Sequence, residues 1–153
     1  MPTDILRARA RRPVTGSGSG PKRDDAERIV LIKIGRVELR ARLAATPTAD
    51  RLWAALPVFG TAEPWGEAVH FEVPVASGRD RTARVNAQRG DICFWAEEKR
   101  LIIAYGPTPI SRPNEMRMPS PVNVVAAALD DVGVLRGARV GEKVSIVKQP
   151  AAD

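Results

Sequence analysis

The sequence predicts a mainly β protein, a closed barrel of about eight strands with one or two short helices. Six or more short apolar segments have the length and the β-branched content of strands. Residues 37–43 alternate between apolar and charged side chains, which is typical of a strand with one buried face and one face in water. Strands and helices do not alternate regularly along the chain, so the pattern favours a barrel over a parallel sheet with crossover helices.

Residues 1–28 are predicted to form a disordered basic tail, and residues 29–148 to form the barrel. The tail holds seven basic and four acidic residues. Within it, residues 16–20 alternate glycine and serine. That composition is typical of a flexible linker because it offers little side-chain packing to offset the backbone entropy.

A β-hairpin is predicted for residues 29–34 and 37–43. Only Gly35 and Arg36 separate the two runs, and glycine in the first central position suits a type II′ turn. In this register Ile32 faces Leu39, so the apolar faces of the two strands coincide.

A helix of about ten residues is predicted to follow the hairpin. Thr46 can cap it, and Pro47 fits its first position, where a missing N–H costs nothing. Leu52 and Leu56 have helical spacing for one buried face, and Pro57 ends the helix.

The other strands are predicted from apolar runs or from alternation, at residues 69–73, 92–95, 101–105, 123–129 and 144–147. Asp130 or Asp131 is expected to cap a single helical turn that runs through Leu135. Residues 76–89 are polar and predicted to be irregular. Residues 106–121 contain five prolines and are predicted to form a long loop with little ladder bonding.

Several short motifs follow one another in order between Ile29 and Val147. They are Thr46-Pro47-Thr48-Ala49, Leu52-Trp53-Ala54-Ala55-Leu56-Pro57, Trp65-Gly66, Phe71-Glu72-Val73-Pro74, Gly90-Asp91 leading to Trp95, Tyr105-Gly106-Pro107-Thr108-Pro109-Ile110 and Pro121-Val122-Asn123-Val124-Val125. Together they resemble a family of small prokaryotic proteins with an atypical, minimal cyclophilin-like fold. The resemblance implies an eight-stranded barrel capped by a helix, and the biochemical function of that family is unsettled.

The better-known cyclophilins are peptidyl-prolyl isomerases that place one arginine beside an apolar proline pocket. Their signature is a Phe-His-Arg segment followed by a Phe-Met-x-Gln-Gly-Gly-Asp segment, and neither occurs in this sequence. The segment Val69-His70-Phe71-Glu72 occupies a comparable strand and contains no arginine. The isomerase residues are therefore not carried over to this chain.

Composition argues against several classes of site and location. The chain has one cysteine and one histidine, which excludes an internal disulfide and disfavours a zinc site, so we predict neither metal nor cofactor. No apolar run has the roughly 18 residues of a membrane helix, and residues 1–20 do not resemble a secretory signal, so a cytoplasmic location is expected. Half of the net charge of +6 belongs to the tail, which makes nucleic acid an unlikely partner of the barrel.

Cys93 and His70 form the one Cys–His pair that the sequence offers for nucleophilic catalysis. Cys93 lies between Ile92 and Phe94, where a small packed thiol is the ordinary outcome. His70 shares strand parity with Glu72, so we expect it to face solvent. The sequence therefore disfavours a dyad.

A ligand-binding cleft is the more plausible site. Four aromatic residues are predicted at or near strand ends beside loops rich in glycine or proline, namely Trp65, Phe71, Trp95 and Tyr105. Polar groups in or beside the long proline-rich segment come from Glu115, Arg117, Ser120 and Asn123. Loop-covered clefts at barrel mouths are common ligand sites. The alternative is that the aromatic residues fill the barrel and the loop only covers its edge.

Three functional hypotheses remain open from the sequence. The first is a module that binds a small ligand or a peptide in the cleft. The second is a diverged peptidyl-prolyl isomerase with Arg117 as the donor to the twisted amide. The third is nucleic-acid binding through the basic tail, which must be sensitive to salt.

Overall fold

Ten strands, one α-helix and one 3₁₀ helix make up residues 27–149, the part of the chain that the computed structural model describes. The predicted disordered tail, apart from its last two residues, lies outside the described residues. In chain order the elements are β1 (Ile29–Ile34), β2 (Val37–Leu43), α1 (Pro47–Ala55), β3 (Val58–Thr61), β4 (Glu63–Pro64), β5 (Ala68–Glu72), β6 (Arg84–Asn86), β7 (Asp91–Trp95), β8 (Arg100–Ala104), β9 (Arg117–Ala128), the 3₁₀ helix (Val132–Gly137) and β10 (Lys143–Lys148).

The strands form one antiparallel sheet that curls into a nearly closed barrel. Their order is β3-β10-β1-β2-β9-β7-β8-β5-β4, and β6 pairs with β9 outside this path. The two ends of the sheet approach each other at Gly60, where an added Cβ would lie 3.2 Å from the carbonyl oxygen of Glu72. The predicted fold class is confirmed, but nine strands follow one another around the barrel and β6 pairs beside them, instead of the eight expected. The sequence pattern misses β3, β4 and β6 because they have only four, two and three residues.

The hairpin and the helix form as predicted. Ile32 pairs with Leu39 across β1 and β2, and Gly35 has a φ of +59°, as the first central position of a type II′ turn requires. At the start of α1, the Thr46 hydroxyl accepts a hydrogen bond from the backbone N–H of Ala49 over 3.2 Å. Local turn and capping chemistry therefore determine this part of the fold.

One wall of the barrel, made by β5, β8, β7 and β9, is buried on both of its faces. Its inner face joins the barrel core, to which it contributes Val69, Phe71, Ile92, Phe94, Leu101, Ile103 and Val125. Its outer face carries a second cluster, which we call the outer cluster and which comprises Ala68, Ala87, Cys93, Ile102, Ala104, Met118 and Val122, with Trp65, Trp95, Met116 and Val124 packed around it. Burial on both faces explains why β7 and β8 have continuous apolar runs where a half-exposed strand would alternate.

Two segments that were expected to be irregular contribute strands to the cover of this outer face. Residues 117–121, predicted to lie in a loop, form the first part of β9, and β6 lies within residues 76–89. The pairs Arg84–Val122 and Asn86–Arg117 are separated by a register shift. The two prolines of this part of β9 cannot donate to a ladder, which is why they occur where the pairing is short and irregular.

The 3₁₀ helix begins after Asp131, which is one of the two residues expected at the cap position. The Asp131 side chain makes no capping hydrogen bond. Its carboxylate accepts instead from Arg89, and that of Asp130 accepts from Arg40. In these ion pairs both partners are charged, whereas in a capping bond only the carboxylate is, which favours arginine as the partner of these oxygen atoms. Within the described residues, no helix is long and apolar enough to cross a membrane.

Candidate functional site

An open groove of about 690 Å³ lies between the turn before β7 and the loop of residues 106–116. We call it the loop groove. Its lining residues are Ala87, Gln88 and Arg89 on one side and Gly106, Pro107, Asn114, Glu115 and Met116 on the other. This volume falls in the range of about 300–1,000 Å³ that is usual for small-molecule sites.

The apolar part of the loop groove is continuous with the outer cluster. Ala87 belongs to that cluster and Met116 packs against it. The backbone N–H of Ala87 donates to the carbonyl oxygen of Met116 over 3.0 Å, which joins the two sides of the groove. The apolar surface is therefore backed by packed side chains and does not depend on the loop alone.

Hydrogen bonds within the loop fix the other side of the groove. The Ser111 hydroxyl accepts from the backbone N–H groups of Thr108 and Arg117, each over 2.9 Å. The Thr108 hydroxyl donates to the carbonyl oxygen of Arg117 over 2.6 Å. The backbone N–H of Glu67 donates to the carbonyl oxygen of Pro107 over 3.0 Å. The loop is thus closed on itself and tied to the barrel, so the groove is formed before any ligand binds.

Arg89 places a positive charge at the groove. Its Nη1 donates to the carbonyl oxygen of Tyr105 over 2.9 Å, and its Nη2 donates to Oδ1 of Asp131 over 2.8 Å. The bond from Arg89 lowers the pKa of the Asp131 carboxyl. A guanidinium has five N–H donors, and the other three make no hydrogen bond with the described residues. Arg89 is therefore held in place and still able to donate.

Glu115 places a negative charge at the same groove. Its Oε1 accepts from the backbone N–H of Arg112 over 3.1 Å and from Nε of Arg117 over 3.3 Å. The backbone bond from Arg112 and the charge of Arg117 hold the pKa of the Glu115 carboxyl below its usual value. Its Oε2 accepts no hydrogen bond from the described residues. Glu115 is therefore an ionised acceptor with one free oxygen.

A sequence model of the family described as Cyclophilin-like matches residues 28–147. The chain belongs to the cyclophilin-like family. This confirms the resemblance that the ordered motifs indicated.

Two solved structures are similar to this cyclophilin-like protein. The solution structure of a hypothetical protein from Archaeoglobus fulgidus is 27% identical, with a TM-score of 0.72 and coverage of 86% of this chain and 100% of that one. The structure of McbB in complex with tryptophan is 15% identical, with a TM-score of 0.60 and coverage of 81% of this chain and 46% of that one. The likeness to McbB shows the fold alone. No curated protein matches the chain.

The residues that the sequence singled out occupy different parts of this cyclophilin-like barrel. Glu115 lines the loop groove, and Arg117 lies next to it as the partner of its carboxylate. Trp65 and Trp95 both pack against the outer cluster, as Met116 does. Tyr105 packs instead against the barrel core, where the Arg136 guanidinium lies 5.2 Å from the centre of its ring.

Of the predicted candidates, only Glu115 lines the loop groove itself, and three of the others have structural contacts elsewhere. Phe71 and Asn123 have no exposed surface. Phe71 belongs to the barrel core, and Asn123 makes hydrogen bonds that connect three segments of the chain. Ser120 donates to Glu97 at the tip of the β7–β8 hairpin over 3.0 Å. We therefore leave these three residues out of the proposed site.

The sequence reasoning missed Arg89, Gln88, Asn114 and Met116. Residues 87–89 carry no periodic pattern and were part of the segment expected to be irregular. Asn114 has a φ of +65°, and its position after Pro113 was a usable turn signal, because asparagine tolerates this conformation better than most residues. That signal predicts a turn, but it does not predict what the turn faces.

Cys93 and His70 do not form a dyad. Both residues pair with Ile102, Cys93 from β7 and His70 from β5, so a whole strand separates them. Burial raises the pKa of the Cys93 thiol, which keeps it protonated. Among the described residues, no group of three or more His, Cys, Asp or Glu side chains could hold a metal ion.

His70 is not free in solvent as expected, but half-buried on the outer face of β5. Its Nδ1 lies 3.2 Å from Nη1 of Arg100, and its ring meets the Trp95 ring edge-on with the centroids 6.4 Å apart. Burial lowers the pKa of His70, and the positive charge of Arg100 lowers it further. This cluster explains why an apparently outward-facing histidine is held in place.

Proposed function

We propose that this cyclophilin-like protein binds a small ligand or a short peptide segment in the loop groove. The observation that carries the proposal is the combination of an apolar surface at Met116 and Ala87 with two opposite charges, Arg89 and Glu115. Ligand sites typically consist of an apolar concavity with a few polar groups that orient the ligand. Both charged groups keep unused hydrogen-bonding capacity, which a ligand can take up.

The fold is compatible with such a role. McbB, a structural neighbour, was solved in complex with tryptophan. At 15% identity this supports no transfer of site residues. It is an example of a protein with a similar fold whose structure contains a small ligand.

A groove-filling variant tests the proposal. Gln88 is exposed and lines the loop groove, so Gln88→Trp fills part of it with little expected cost in stability. Asn86→Trp is the matched control, since Asn86 is also exposed, lies two residues earlier and is outside the lining. The measurement is a fragment-library screen by NMR, with chemical-shift changes mapped onto the chain. We expect fragments that shift residues 87–89 and 114–116 in the parent and in Asn86→Trp but not in Gln88→Trp.

The screen can also contradict the proposal. A library that shifts no groove residue in the parent protein removes the support for a binding site there. The same holds if Gln88→Trp binds every fragment as well as the Asn86→Trp control does.

A diverged peptidyl-prolyl isomerase is the second candidate. Isomerisation needs a donor placed against a twisted amide beside an apolar surface, and Arg89 and Met116 line the same groove. Arg117, the donor suggested by the sequence, is not among the lining residues, and its Nε is bonded to Glu115. A protease-coupled assay at micromolar protein, beside a true cyclophilin, distinguishes the two candidates. We expect a weak or absent rate, and a rate near that of the control favours the isomerase.

One open hypothesis and one expectation from the sequence are not tested by these observations. Nucleic-acid binding would depend on the tail, which lies outside the described residues. A cytoplasmic location rests on the sequence reasoning alone.

A further inference from the structure

We infer that the ligand of the loop groove is a small zwitterion, an amino acid or a short peptide whose ammonium and carboxylate groups are both free and whose side chain is apolar. This rests on the proposed function of the groove. Free amino acids and unblocked short peptides share the same chemistry here, and the experiment below separates them.

The acceptor for the ammonium group is Glu115. Its Oε1 is used by Arg112 and Arg117, so these bonds fix the carboxylate and leave Oε2 available. The side chain is about a fifth exposed (22%), so a ligand in the groove can reach the carboxylate. A charge-assisted hydrogen bond in such a setting is stronger than one between neutral groups.

The donor for the carboxylate group is Arg89. The carbonyl oxygen of Tyr105 and the carboxylate of Asp131 accept two of the five N–H groups of its guanidinium. The remaining N–H groups have the planar arrangement that matches a carboxylate. Because Arg89 is pre-positioned, little side-chain entropy is lost when it binds.

Local charge balance favours a zwitterion over a ligand of one sign. Glu115 is compensated by Arg117, and Arg89 is compensated by Asp131, so these two ion pairs carry no net charge together. A ligand with a single charge would find one attractive group and one that repels it or goes unused. A ligand with both charges matches both groups and leaves its side chain for Met116, Ala87 and Pro107.

The test compares free and blocked forms of one amino acid. The probes are L-leucine, N-acetyl-L-leucine, L-leucinamide and the dipeptide Leu-Leu, titrated to millimolar concentration while the amide signals of groove residues are followed by NMR. We expect each blocked form to bind about tenfold more weakly than leucine or the dipeptide, since each loses one charge-assisted contact. Whichever of leucine and Leu-Leu binds more tightly identifies the preferred spacing between the ammonium and carboxylate groups.

Two variants assign the contacts to residues. Glu115→Gln should abolish the preference for free leucine over its N-acetyl form and keep the preference over leucinamide. Arg89→Gln should abolish the preference for free leucine over leucinamide and keep the preference over N-acetyl-L-leucine. Glu38→Gln is the control and should keep both preferences. It removes an exposed carboxylate of β2 that pairs with Lys33 of β1. If a variant fails to fold, the comparison of free and blocked probes on the parent protein still decides the inference.

The outcomes separate this inference from the proposed function. Suppose that the fragment library shifts groove residues, but that blocked and free leucine bind equally or that none of the leucine probes binds. The inference of a zwitterionic ligand is then wrong, and the groove remains a binding site. If neither the library nor any leucine probe shifts a groove residue, both are overturned.

Discussion

The side-chain amide of Asn123 donates to the hydroxyl of Thr48 over 3.1 Å and so ties strand β9 to helix α1. The same amide donates to the carbonyl oxygen of Gly78 over 2.8 Å, and its oxygen accepts from the backbone N–H of Asp80 over 2.7 Å. Asn123 has no exposed surface and Thr48 only 1%. One buried amide therefore holds three segments together.

Replacing Asn123 with alanine should destabilise the protein markedly. The change leaves the backbone N–H of Asp80 without its partner, takes the shorter of two hydrogen bonds from the carbonyl oxygen of Gly78, and removes one bond from the Thr48 hydroxyl, which still bonds to Ser77. An unpaired buried group costs about 1–3 kcal/mol. Since parts of the segment at residues 77–80 can relax into water, we expect a total of about 2–4 kcal/mol in the free energy of unfolding. Urea unfolding measures it. Asn86→Ala, at an exposed asparagine, is the control and should stay within about 0.5 kcal/mol. Equal effects of the two changes would show that the network contributes little.

The Cys93 thiol should be unreactive in the folded protein. It is fully buried in the outer cluster, and burial raises its pKa, so almost no thiolate forms near neutral pH. A thiol reagent should label the chain only at the rate at which it unfolds. Rapid labelling under native conditions would mean that the outer cluster opens locally.

Cys93 also allows a test of packing in the outer cluster. Cys93→Ser keeps nearly the same volume but places a hydroxyl among apolar side chains, which we expect to cost about 1–3 kcal/mol of stability. Cys93→Ala adds no polar group and should cost less. Thermal unfolding of the two variants gives the comparison, and a serine variant as stable as the parent would indicate a hydrogen-bond partner for the hydroxyl.

The fold could be predicted because its main signals are local. The Gly35 turn, the Thr46 cap and the alternation in β2 each depend on neighbouring residues, and all three are confirmed. Strands β3, β4 and β6 could not be predicted in this way. They are too short for a period to be visible, and they form because the neighbouring strands offer unpaired backbone groups.

The site was only partly predictable, for a different reason. The loop groove combines residues 87–89 with residues 106–116, which meet only because the loop folds over the outer cluster. The proline content of the loop indicated Glu115, but nothing local to Arg89 marked it. Asn123 shows the converse problem, because a polar residue in an apolar run can bind a ligand or stabilise the structure, and the sequence does not distinguish the two.

His70 should titrate below its ordinary pKa of 6.5. Burial disfavours the charged ring, and Arg100 adds a repulsive positive charge. The unfolded chain therefore takes up a proton first as the pH falls, so stability decreases between pH 6.5 and the lower pKa of the folded state and is regained as the pH rises. NMR of the single histidine measures this directly.

A substitution at Arg100 identifies the cause of the His70 shift. Arg100→Gln removes the positive charge and should raise the pKa of His70 toward 6.5, whereas Glu38→Gln on β2 should leave it unchanged. A pKa at or above 6.5 in the parent protein would contradict the described surroundings of the ring.

The start of the ordered barrel should lie at Arg28, and the residues before it should be dispensable for folding. Arg28 donates to the carbonyl oxygen of Ala44 over 2.8 Å, pairs with Asp50 over 2.8 Å and lies 5.9 Å from the ring centre of Trp53. Residues 1–26 contain few apolar side chains and offer little surface to bury.

Deleting residues 1–26 should therefore leave the Tm within a few degrees. Deleting residues 1–28, or changing Arg28→Ala, should lower the Tm further because the three contacts of Arg28 are lost. Thermal unfolding of the three proteins decides this, and a large fall in Tm on deleting residues 1–26 alone would show that the tail docks on the barrel.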